Sequence, residues 1–97
     1  MTLDEFKRAL SSARPPADLP QALVALWQDA TGNWDAAHKV AQDIDDEDSA
    51  WIHAYLHRKE GDAGNAAYWY RRAGKPVSKL ALDVEWEEIA TDLLQRG

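Results

Sequence analysis

Gly32 and Gly61 each follow one alanine by seven residues and precede another by five, giving Ala25–Gly32–Ala37 and Ala54–Gly61–Ala66. This spacing narrows the folds open to the chain more than any other feature. Glycine is the usual residue for the left-handed backbone that ends a helix. A small side chain two turns before that glycine and another just after it let two consecutive helices fold back and approach closely. A shift of 29 residues superposes more than these positions, since Leu23 falls on Ile52 and Leu26 on Tyr55. A period of that length marks an internal repeat.

The flanking residues supply the starts and stops. Thr2-Leu3-Asp4-Glu5 is a capping box, and Leu3, Phe6 and Leu10 recur at helical spacing, predicting a helix over about 3–12 that Pro15-Pro16 ends. Asp18 suits the N-cap of a second helix with Pro20 in its first turn; Leu19, Leu23, Leu26, Trp27 and Ala30 face inward, and the helix ends near Thr31. Asn33 caps a third helix to about Asp43, with Trp34, Ala37, Val40, Ala41 and Ile44 inward. The acidic run Asp45–Asp48 reads as a loop before a fourth helix over 49–60, and a fifth covers 63–73 before Gly74 and Pro76. Asp83 caps a last helix over 84–95, with Trp86, Ile89, Ala90, Leu93 and Leu94 inward. No period-two alternation persists, so no strand is expected. The predicted fold is all-α, with about six short helices in one domain over 1–97. Two antiparallel hairpins occupy 19–74, and helices within 1–14 and 83–97 cap them, because repeat units do not bury a core singly.

Ala54, Gly61, Ala66, Tyr70 and Ala73 stand in the order small residue, turn glycine, alanine, aromatic, small residue. In this they resemble the tetratricopeptide-repeat family and its Sel1-like relatives, and Ala66 to Ala73 is similar to a Sel1-type second helix. The first copy matches at Ala25, Gly32, Trp34 and Ala37, with Ala41 in place of the aromatic. His53 and His57, and Val24 and Gln28 in the first copy, stand where the family carries Leu and Tyr. The wording of Trp51–Gly74 also resembles a group of small bacterial helical proteins. The resemblance implies a protein- or peptide-interaction module whose groove is lined by Trp51, Tyr55, Arg58 and Lys59, with Arg71, Arg72 and Lys75 extending a basic rim. Aromatic anchors beside Arg suit such binding. The alternative for the two rings is burial beneath the last helix through Trp86 and Ile89, as a chain of 97 residues needs its aromatics inside. Tyr68, Trp69 and Tyr70 cannot all face one way, so at least one ring is expected at the surface.

A net charge of −6 argues against nucleic acid as partner. The charge is uneven: Asp35 and Asp43–Asp48 are acidic, while Arg58, Lys59, Arg71, Arg72, Lys75 and Lys79 gather in the next third. That asymmetry suits an acidic partner or head-to-tail self-association. No apolar run reaches the roughly 20 residues of a membrane helix, no leader is evident, and a cysteine-free chain fits the cytoplasm.

No nucleophile lies near a base, no glycine-rich phosphate loop occurs, and neither enzymatic activity nor a cofactor is expected. One alternative remains. His53, His57 and Glu60, at i, i+4 and i+7 of the fourth helix, share a face distinct from that of Trp51, Tyr55, Ile52 and Leu56, and His38 could join them from the third helix. Such a set could hold a metal or serve a small-ligand enzyme. The zinc-protease pattern is absent, because Ala54 follows His53 where that pattern has Glu.

Overall fold

The computed structural model describes residues 1–96. They form six α-helices: α1 (Leu3–Arg8), α2 (Gln21–Ala30), α3 (Trp34–Gln42), α4 (Glu47–Lys59), α5 (Ala63–Ala73) and α6 (Leu82–Arg96). Among the described residues there is no strand, and no helix is long and apolar enough to cross a membrane.

The two turns that the glycine spacing predicts have the same construction. Gly32 and Gly61 both have φ near +90°. The Gly32 amide donates to Asp29 O and the Asn33 amide to Gln28 O; twenty-nine residues on, the Gly61 amide donates to Arg58 O and the Asp62 amide to His57 O. This paired bonding satisfies the last carbonyls of a helix and stops it. Asn33 and Asp62 then act at once as N-caps of the next helix, accepting from the amides of Ala36 and Asn65. Ala25, Ala37 and Ala54 are fully buried and Ala66 nearly so, which lets α2 pack on α3 and α4 on α5 at close range.

α4 is the hub. It contacts α2, α3, α5 and α6, and every residue from Ser49 to His57 is buried. A helix apolar on one face alone would need fewer neighbours; one buried all round sits in the middle of a domain. α1 packs on α6, with Phe6 stacked on Trp86 at 5.6 Å between ring centroids. α6 closes over both hairpins, its Trp86 Nε1 donating to Leu26 O at 3.1 Å. Trp27 Nε1 ties α2 back to Ala9 O at 3.0 Å.

Several boundaries differ from expectation. The first helix keeps its capping box but tightens to a 3-10 turn over Ala9–Ser11. Asp18 does not cap α2: it takes a left-handed φ of 65°, a conformation Asp tolerates, and Pro20 is the cap residue. Ala30 is exposed and Asp29 is buried in its place. The acidic run is not all loop, because Asp46 caps α4 by accepting from Ser49 N at 2.7 Å, so Glu47 and Asp48 occupy the first turn. There their charges meet the positive end of the helix dipole. α6 begins at Leu82, which puts Asp83 inside its first turn and not before it.

Candidate functional site

Tertiary packing divides the six residues expected at a partner surface into three pairs. Trp51 and Tyr55 are 5% and 2% exposed, so they are core and not groove anchors. The Tyr55 hydroxyl donates to Asp29 Oδ2 at 3.2 Å, and burial, with Asp29 beside it, pushes its pKa well above the usual tyrosine range. Arg58 and Lys59 are engaged within the fold: Arg58 Nη1 donates to Glu85 Oε1 at 2.7 Å and Lys59 Nζ to Asp29 Oδ1 at 2.9 Å. These pairs fasten α4 to α6 and to α2 around two buried carboxylates. Neither Asp29 nor Glu85 stood out in the sequence, where each is one acid among seventeen.

Arg71 and Arg72 remain on the surface of α5. Arg72 lies over two rings, with its guanidinium carbon 5.1 Å from the centroid of Trp69 and 5.9 Å from that of Tyr68. Nη1 reaches the Tyr68 hydroxyl at 3.4 Å and Nη2 the Asp45 carboxylate at 3.2 Å. Helical spacing accounts for the first contacts, since Trp69 and Tyr68 are three and four residues before Arg72. Of the three consecutive aromatics, Tyr68 is 44% exposed, Trp69 is half-buried and Tyr70 is buried. Lys75 covers Trp51 from outside, with Nζ 4.2 Å from the ring centroid.

Beneath Trp69 the three histidines meet. One ring nitrogen from each of His38, His53 and His57 lies within 4.8 Å of the others. His38 comes from α3, His53 and His57 from successive turns of α4. Two tryptophans fix two of the rings: Trp34 stacks on His38 at 4.9 Å and Trp69 on His53 at 3.9 Å. Trp34 is itself anchored by Nε1 donating to Leu56 O at 2.9 Å. His57 is fixed by a hydrogen bond of 2.6 Å between Nδ1 and Glu60 Oε1, which leaves its Nε2 unencumbered. His38 Nε2 and His53 Nε2 share a hydrogen bond of 2.9 Å. His53 Nδ1 is buried without a partner. Desolvation, reinforced by His38, His57 and Arg72, lowers the His53 pKa to about 4; desolvation and His57 lower that of His38. Both rings are therefore neutral at pH 7.

Of the residues considered for a metal, His53 and His57 converge as their spacing suggested, and His38 completes the cluster. Glu60 is hydrogen-bonded to His57 Nδ1. The roles of Trp34 and Trp69 were partly readable: Trp34 precedes His38 by four residues, the distance at which helical side chains stack.

No family model, curated protein or solved structure matches the chain.

Proposed function

We propose that the protein is a small interaction module that takes an acidic protein or peptide segment on the outer face of α5, around Tyr68, Arg71 and Arg72. The observation that carries this reading is the Arg72 guanidinium, held over Trp69 and Tyr68 and still exposed. Ring contacts restrict the side chain before any partner arrives, so less rotamer freedom is lost on binding. Its present carboxylate partner, Asp45, has a side chain 95% exposed, and such a surface pair contributes little and exchanges readily. An incoming Asp or Glu takes the same place with two-pronged geometry, and Arg71 on the same helix adds charge. The two equivalent hairpin turns support the tetratricopeptide-like part of the reading, and the absence of cysteine supports a cytoplasmic setting.

The test is a titration of isotope-labelled protein with a hexaglutamate peptide, followed by amide and indole NMR shifts. Shifts centred on Tyr68, Trp69 and Arg72, lost in the Arg71→Glu/Arg72→Glu double variant, are the expected result. Shifts elsewhere, or none at millimolar peptide, would remove this face from consideration.

A further inference from the structure

The histidine cluster asks for a different ligand. A structural histidine usually receives an acceptor for its N–H and a donor for its lone pair. His53 receives neither from a carboxylate or a carbonyl: its one hydrogen-bond partner is another imidazole, and its remaining nitrogen has none. Three basic rings are thus packed side by side, two of them buried. No counter-charge reaches His38 or His53 directly, and the one ordered carboxylate contact is made by Glu60 to His57.

We infer that His38, His53 and His57 form a binding site for one divalent transition-metal ion of the zinc class. Around a tetrahedral ion with metal–nitrogen bonds of about 2.0–2.1 Å, ligand nitrogens stand about 3.4 Å apart. The His38–His53 separation of 2.9 Å is shorter than this, and all three nitrogens lie within 4.8 Å of one another, so rotations that part the first two rings and draw in the third bring them to ligating distance. Neutral imidazole is the form that ligates, and the cluster keeps His38 and His53 neutral at pH 7. The hydrogen bond between Nε2 atoms means that one of those two rings now carries its proton on Nε2. On metal binding this proton moves to Nδ1 of the same ring and both Nε2 lone pairs face the ion.

Glu60 is a positioning residue. A carboxylate on the second nitrogen of a ligating histidine fixes its tautomer and raises its basicity. Trp34 and Trp69 hold the other two rings by stacking, so all three ligands are oriented before the ion arrives. The donors are three nitrogens with no thiolate, which suits Zn²⁺, Co²⁺, Ni²⁺ or Cu²⁺ and disfavours Mg²⁺ and Ca²⁺, whose preferred ligands are oxygens. The chain contains no further histidine and no cysteine. The fourth position therefore falls to water or another oxygen ligand, as in open sites.

The full-length protein, stripped with chelator, is titrated with Zn²⁺ by calorimetry and with Co²⁺ by visible absorption. The expected result is one equivalent of either metal, the intense visible bands of four-coordinate Co²⁺, and no heat with Mg²⁺. His38→Ala removes a half-buried ring and keeps the fold, as checked by circular dichroism; it should abolish stoichiometric binding. Glu60→Gln should weaken Zn²⁺ about 10–100-fold while leaving the urea midpoint of metal-free protein unchanged. Wild-type protein that takes up no equivalent of metal, or His38→Ala protein that binds as tightly as wild type, would overturn the assignment. So would an unchanged affinity in Glu60→Gln, for the positioning role.

Discussion

The carboxylate of Glu85, fully buried on α6, accepts a 2.7 Å hydrogen bond from the guanidinium of Arg58 on α4. The same carboxylate takes the Tyr70 hydroxyl of α5, and Arg58 also donates to Leu80 O in the segment before α6. Three helices and a connection therefore meet on one charge. Removing only the cation strands that charge in the core. Arg58→Ala is expected to destabilise the protein by about 3 kcal/mol. Neutralising both partners, as in Arg58→Met/Glu85→Gln, should regain at least half of that. Urea denaturation of the three proteins decides it, and an additive double variant would mean that the two side chains are not coupled.

Glycine substitutions separate backbone from packing. A Cβ at Gly32, Gly61 or Gly64 meets nothing within 4 Å, so any effect comes from φ. At Gly32 and Gly61, where φ is near +90°, alanine should cost about 1–2 kcal/mol each. At Gly64, inside the first turn of α5, alanine should add roughly 0.5–1 kcal/mol through helix propensity. Thermal midpoints moving down, down and up in that order are the expected pattern.

Those glycines are also where the sequence spoke most clearly. Their turns, the capping box at Thr2 and the cap Asn33 are local, and local chemistry determines them within a few residues. What stayed hidden depends on distant partners. Asp29 pairs with Tyr55 and Lys59, and Glu85 with Arg58 and Tyr70, across separations that no spacing rule covers. The repeat resemblance offered Trp51 and Tyr55 as groove anchors, with burial beneath the last helix as the alternative, and both rings are buried. The histidines are buried as well, and that follows from α3 and α5 covering α4, not from α4 itself.

His53 gives a pH dependence with a defined sign. Burial, then the neighbouring His38, His57 and Arg72, lower its pKa from 6.5 to about 4 in the folded protein. Between these values the unfolded chain binds a proton that the folded one does not. The stability of metal-free protein is therefore complete above about pH 6.5, falls as pH drops toward 4 and levels off below it. The contribution is on the order of 2–4 kcal/mol. Urea midpoints of wild type and His53→Gln at pH 7.5, 5.5 and 4.5 read it directly: the gap between the two should shrink as pH falls. A constant gap would show that His53 does not titrate in this way.

Overfilling the hairpin contacts should be costly in both copies. Ala25 and Ala54 have no exposed surface, and each occupies the close approach between paired helices. Ala25→Leu and Ala54→Leu are expected to destabilise by about 1–3 kcal/mol. Ala54→Leu should do more damage, because α4 is enclosed on all sides and its neighbours have less room to move. Equal denaturation midpoints in the two variants would contradict that ranking.

Asn33 and Asp62 each complete the end of one helix and begin the next with the same residue. Such a joint has no slack. One amino acid inserted at either place would break a stop or a start, so the two hairpins act as brackets of fixed span. Changes of chain length have to be absorbed elsewhere. The irregular, largely exposed stretch from Lys75 to Ala81 is the natural place for an epitope, a linker or a new pair of chain ends.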